Sequence, residues 1–271
     1  LTVSRPFLKW PGGKFRLVER ISKALGPGQR LIEPFVGSAA VFLNTDYDHY
    51  LLADSNPDLI NLYQTLHEEG ESFIDYVRQF FQPETNNAET YYALREDFNS
   101  TRDIRHKAAL FIYLNRHCYN GLCRYNKSGG FNSPFGRYKQ PQLPEQAILA
   151  FIEKSQRATF QLSSFTETMQ AAEAGDVVYC DPPYMPLSKT ANFTSYSAEG
   201  FGMEQQAELA RLAKELASQG VHVAISNHDT GEIRNLYKGA RITRFEVPRF
   251  ISQDIHNRNT ARELLAVFKP S

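Results

Sequence analysis

The sequence predicts an α/β fold: a largely parallel, seven-stranded sheet flanked by helices and interrupted by a mostly helical insert. Three observations lead there. Short apolar runs end in turn residues, helical patterns separate most of these runs, and between the second and third runs the strand pattern gives way to helices. Alternation of strand and helix favours parallel pairing with both faces of the sheet covered.

The runs lie at 30–33, 50–53, 158–162, 177–180, 221–226, 241–247 and 264–268, with helical patterns over 15–25, 39–44 and 203–218. Such an order describes a Rossmann-like sheet. In the interval after the second run, helices are expected at 58–67, 71–81, 89–99 and 104–117, followed by a Gly/Asn/Pro-rich stretch over 118–144 that reads as a β-hairpin or long loop. The expected division is therefore a sheet domain of residues 1–56 and 145–271 and an inserted domain of residues 57–144.

Composition narrows the function classes. With 271 residues and 42% hydrophobic residues, the chain can bury an ordinary core. No run approaches the roughly 18 to 20 apolar residues of a membrane span, and the first nine residues lack a secretory signal's apolar stretch, so a cytoplasmic protein without membrane association is expected. Cys118, Cys123 and Cys180 are too few for a disulfide framework. His117 beside Cys118 and Cys123 invites a zinc reading, but a structural site needs about four ligands, so no metal is expected. The net charge of zero hides patterning. Residues 54–89 carry eight acidic side chains against Arg78, whereas 104–144 hold seven Lys/Arg and no acid. The second stretch is a candidate contact for a polyanion, although charge bias also marks ordinary solvated faces.

The sharpest motif is Asp181-Pro182-Pro183-Tyr184, directly after the run 177–180. In open α/β sheets ligands gather at the carboxyl ends of strands, and consecutive prolines hold the backbone stiffly extended. One carboxylate (Asp181), one carbonyl (Pro182) and one aromatic ring (Tyr184) suit an exocyclic amino group on a heteroaromatic base. That nitrogen's lone pair is delocalised until acceptors hold its hydrogens, so positioning and electrostatics would supply most of the rate. The bland alternative is a proline turn with a capping Asp.

A second motif, Glu33-Pro34-Phe35-Val36-Gly37-Ser38, also follows a strand, and Gly37 lets a ligand approach the backbone. Asp54 ends the next strand, where an acid commonly receives ribose hydroxyls; it could instead cap the helix beginning near Pro57. The third, Lys9-Trp10-Pro11-Gly12-Gly13-Lys14, lacks the spacing and Ser/Thr of a triphosphate-binding loop.

Together these segments resemble the Dam-type DNA adenine methylases of the alpha class of amino-methyltransferases. The likeness extends through 83–86, 114–116, 119–126, 134–138, 190–194 and 225–229, and covers nearly the whole chain. It implies an S-adenosylmethionine-dependent methyltransferase fold with a target-recognition insert, and methylation of N6 of adenine in double-stranded DNA at GATC. It further implies a monomer acting on a bacterial or phage nucleoid, with roles in replication and mismatch repair.

By the same resemblance, Asp181, Pro182 and Tyr184 are catalytic. Trp10, Lys14, Phe35, Gly37, Asp54, Phe165 and Asp181 border S-adenosylmethionine. Arg124 reads a guanine through O6 and N7, Leu122 and Pro134 meet the thymine methyl and base edges, and Lys9 contacts the guanine at the other end of the site. Tyr119 wedges beside the extruded adenine and Asn120 borders the vacated space. Arg95, Arg116, Asn126, Asn132 and Arg137 contact phosphates. On residues alone, Tyr119, Tyr125 and Tyr138 could equally be hairpin packing. One stretch departs from the pattern: 249–258, where relatives often show a Ser-Asn-Gly-like sequence, leaves its role open.

Competing readings are a cytosine-N4 methyltransferase, which more often places Ser before the prolines, and a glutamine-modifying protein methyltransferase, which usually begins the turn with Asn. From another class comes a DNA-binding repressor on an inactive transferase fold. The intact Asp181, Tyr184, Gly37 and Asp54 speak against it.

Overall fold

The computed structural model describes residues 3–184, 201–248 and 260–270. Its sheet has seven strands in the order β3-β2-β1-β4-β5-β7-β6, formed by β1 (Arg30–Glu33), β2 (His49–Asp54), β3 (Ala158–Leu162), β4 (Val177–Cys180), β5 (His222–His228), β6 (Arg241–Pro248) and β7 (Thr260–Phe268). The first five pair in parallel, and β7 runs antiparallel between β5 and β6. All four residues of β4 are buried, as expected for a central strand covered on both faces. Chain order reverses between β1 and β4, so the crevice beyond their carboxyl ends is the place this topology offers a ligand.

Helices α1 (Val18–Leu25), α2 (Ala40–Leu43), α3 (Pro57–Glu69), α4 (Glu71–Arg78), α5 (Ala88–Ser100), α6 (Ile104–His117) and α7 (Glu145–Ser155) precede β3, while α8 (Phe165–Gln170), α9 (Met203–Ser218) and α10 (Gly231–Leu236) follow it. The helical interval between β2 and β3 is as expected, with α7, α8 and α10 as additions. Two hydrophobic clusters form the core. One joins residues of the sheet to α3, α4, α6 and α7 without a break; the other packs α9 and α10 against the sheet through residues such as Leu209, Leu212 and Ile233. In α6 every residue from Ala108 to Asn115 is buried. Its large apolar side chains contribute about 1.5 to 3 kcal/mol each, so Leu110→Asp would destroy the helix's seat.

The 118–144 segment corrects the hairpin expectation. Among the described residues it forms two isolated antiparallel bridges, Cys118 with Phe135 and Tyr125 with Phe131, rather than a continuous ladder. Gly129 has a positive φ of 80°, and the Asn126 side-chain oxygen accepts from Ser128 and Gly130 backbone N–H, which closes a tight turn early. The motif residues 190–194 and the loop 249–258 lie outside the described residues.

Candidate active site and nucleic-acid face

Asp181 stands immediately after β4 with 19% of its side chain exposed. Lys14, buried in a 3-10 turn (Lys14–Leu17), places Nζ 2.9 Å from Asp181 Oδ1 and donates to the Gly12 carbonyl at 2.7 Å. The Lys14 ammonium and the Asp181 carboxylate form an ion pair. Burial pushes the Asp181 carboxyl above its ordinary range, and the Lys14 charge opposes that rise. Tyr184 lies with its ring centroid 4.6 Å from Lys14 Nζ and 4.4 Å from the His228 ring, and its hydroxyl donates to Glu263 Oε2 at 3.2 Å. A carboxylate, an ammonium and an anchored aromatic ring thus meet at the strand end.

The neighbouring loop after β1 is built around Gly37, whose φ is 45°. A Cβ there would stand 2.9 Å from Trp10 Nε1, so only glycine fits against the Trp10 ring. Gly37 N–H donates to Asp54 Oδ2 at 3.1 Å, and the Tyr63 hydroxyl donates to the Gly37 carbonyl at 2.6 Å. Asp54 Oδ1 accepts from Asn56 N–H at 3.0 Å. Asp54 does not cap α3, the alternative raised from sequence; Asn56 does, accepting from Asp58 N–H and Leu59 N–H. Phe35 stacks on Phe165 at 5.6 Å with 21° between planes, and Phe201 meets both rings edge-on. Glu33, at the end of β1, is buried, its Oε1 lacks a partner, and burial raises its pKa from 4.5 to about 8. An apolar aromatic cluster and an acid beside a glycine loop fit a cofactor with an adenosine part.

A second group of predicted residues gathers around the end of α6. Asn115, fully buried, accepts from Lys9 N–H at 2.9 Å and donates to the Lys9 carbonyl at 2.7 Å, so the N-terminal segment is tied to the helix. Lys9 Nζ lies 4.2 Å from the Tyr138 ring centroid. Tyr119 is 53% exposed, and Asn120 takes a left-handed conformation with its N–H donated to the Tyr138 hydroxyl at 3.0 Å. Arg124 is exposed, and its Nε donates to Asn132 Oδ1 at 2.8 Å. Leu122 is partly buried, whereas Pro134, Arg137 and Asn126 are exposed. Arg95 donates to the Ser133 carbonyl at 3.2 Å. Arg116 is partly buried with Nε unpartnered, and burial lowers its pKa. Among the described residues, no three potential metal ligands converge.

The family model for D12 class N6 adenine-specific DNA methyltransferases matches residues 10–251. The chain belongs to this family. Curated relatives called DNA adenine methylase are similar along nearly the whole chain. Those of Vibrio cholerae and Serratia marcescens are each 51% identical over 267 residues, covering 98% of this chain and 96% and 99% of the relative. The relative from Salmonella typhi is 49% identical, with 98% of this chain and 96% of the relative covered. Membership in an adenine-specific N6 family decides against the cytosine and glutamine readings.

For this methyltransferase, Trp10, Lys14, Phe35, Gly37, Asp54, Phe165, Asp181, Pro182 and Tyr184 all fall at the carboxyl edge of the sheet. Lys9, Tyr119, Asn120, Leu122, Arg124, Asn132 and Pro134 fall around the α6 terminus. Sequence reasoning missed Tyr63 and Glu263, and it gave Asn115 only within the resembling stretch 114–116, without a role. Each is tied in by one hydrogen bond or a reciprocal pair to a distant segment, a relation that local spacing does not carry.

Proposed function

We propose that this protein transfers the methyl group of S-adenosylmethionine to N6 of an adenine everted from double-stranded DNA at GATC, in one direct in-line step. The observation that carries the reading is the Asp181, Lys14 and Tyr184 cluster beside the Gly37 and Asp54 loop pair at the strand-order reversal.

Trp10, Phe35, Gly37, Asp54 and Phe165 would hold the donor, with Asp54 facing ribose hydroxyls and the phenyl rings facing an adenine. When bound, its sulfonium supplies an electrophilic methyl and departs as a neutral thioether. Asp181 and the Pro182 carbonyl accept the two amino hydrogens and direct the nitrogen lone pair along the line of transfer. Lys14 favours the ionised form of Asp181, which is the better acceptor. As the new C–N bond forms, the amine's surplus proton passes to the Asp181 carboxylate and on to solvent. Tyr184, anchored through Glu263, stacks on the everted base.

Residues 57–144 would act as the DNA-reading unit and residues 1–56 and 145–271 as the catalytic unit, in a monomer. Arg124, Leu122, Pro134 and Lys9 would read base edges, Tyr119 and Asn120 would enter the stack, and Arg95, Arg116, Asn126, Asn132 and Arg137 would position the backbone. The exposure of Tyr119, Asn120, Arg124, Asn126, Pro134 and Arg137 supports this reading, whereas the partly buried Tyr125 and Tyr138 pack within the segment.

The test is Asp181→Ala assayed for turnover and for binding. Turnover should fall at least about a hundredfold, the scale for deleting one preorganised polar group, while DNA and cofactor binding stay measurable. Methylation at the original rate would remove Asp181 from the mechanism.

A further inference from the structure

Between the two residue groups lies the amino end of α3. Asp54, on the cofactor side, accepts from Asn56 N–H at 3.0 Å, and the Asn56 side chain caps the helix by accepting from Asp58 N–H at 3.0 Å. Asp58 is buried and holds two partners from the recognition side. Lys107 Nζ lies 2.9 Å from Oδ1, and the Tyr125 hydroxyl donates to Oδ2 at 2.9 Å.

Tyr125 is the chain neighbour of Arg124. It forms the bridge with Phe131, and the two rings meet edge-on at 5.7 Å. Successive side chains of an extended segment point to opposite faces. Anchoring Tyr125 inward on Asp58 therefore turns Arg124 outward, where Asn132 Oδ1 holds its Nε. A one-residue slip would exchange the two faces. From Asp54 to Arg124 the connection is an unbroken series of hydrogen bonds and peptide links.

We infer that Asp58 and Tyr125 are positioning residues for sequence recognition, and that through them occupancy of the Asp54 end of the cofactor site sharpens discrimination by Arg124. Both act through their protein partners. The inference rests on the proposed assignment of Asp54 to the cofactor and Arg124 to a guanine. A ligand hydroxyl that engages Asp54 competes with Asn56 N–H for the same carboxylate. The adjustment falls on the helix terminus that carries Asp58.

The experiment measures Kd for a GATC duplex and for one with the Arg124-read guanine replaced, each with and without S-adenosylhomocysteine. The proteins are the wild type, Tyr125→Phe, Asp58→Asn and the control Tyr47→Phe, which deletes a hydroxyl bonded to the Gly26 carbonyl just before the amino ends of β1 and β2. Tyr125→Phe keeps the ring packing, and thermal melts check that every variant is folded. S-adenosylhomocysteine should raise the cognate preference of the wild type and the control about fivefold or more, the lower end of ordinary coupling between sites. Tyr125→Phe and Asp58→Asn should show less than a third of that rise while binding S-adenosylhomocysteine as tightly as wild type. A full rise in folded Tyr125→Phe, or no rise in a wild type that methylates GATC, overturns the inference and leaves the function standing. A wild type that neither prefers GATC nor methylates it overturns both.

Discussion

The strand-end cleft and the proposed recognition surface solve opposite problems with the same chain. In the cleft the side chains are already engaged: Asp181 with Lys14, Tyr184 with Glu263, Asp54 with Gly37. At the proposed recognition surface the backbone is fastened, through Tyr119 N–H to the Pro134 carbonyl and Asn132 N–H to the Arg124 carbonyl, while Tyr119 and Arg137 project outward and exposed Arg124 rests on Asn132. Chemistry on one nitrogen needs groups fixed before the substrate arrives. Reading base edges needs a fixed platform whose side chains remain available to the groove.

Breaking the platform should have the largest effect. Asn115→Ala strips partners from both backbone groups of Lys9, and at about 1 to 3 kcal/mol for each unsatisfied buried group we expect a loss of about 2 to 4 kcal/mol in chemical denaturation. Cognate preference should fall with it, because Lys9 and the Tyr138 ring lose their seat. Removing a reader and leaving the platform intact should cost less. Arg124→Ala should lose about 1 to 3 kcal/mol of discrimination at one guanine, read from competition between duplexes. Unchanged preference would move the reading role elsewhere. The smallest effect concerns the cleft. Turnover should fall on the acid side as Asp181 takes up a proton, at a pH above that of an ordinary carboxylate because burial raises its pKa. Lys14→Met removes the charge that opposes this rise, so at saturating cofactor the acid limb should move to higher pH. A pH profile identical to wild type would separate Lys14 from the ionisation of Asp181.

The same contrast explains what could be read in advance. β1 and β4 match the apolar runs at 30–33 and 177–180, because a strand buried on both faces shows itself in composition alone; β3 also matches 158–162, although as an edge strand it buries only Phe160. β5 extends two residues beyond its apolar run. Asn227 can be buried there because Gln206 and Tyr237 satisfy its amide, and nothing nearby in sequence announces those partners. The antiparallel course of β7 was likewise hidden, since strand direction depends on which edge the chain returns to. Asp181, Gly37 and Asp54 stood out because the proposed chemistry calls for their residue types at strand ends. Their tethers did not: Tyr63 and Glu263 reach Gly37 and Tyr184 across 26 and 79 residues.

The most direct measurement is position-resolved mass spectrometry of a GATC-containing duplex after incubation with the protein and labelled S-adenosylmethionine. The account predicts label as N6-methyladenine at the adenine of GATC on both strands and at no other base. An unlabelled duplex, label in N4-methylcytosine, or label on adenines irrespective of their neighbours would contradict it.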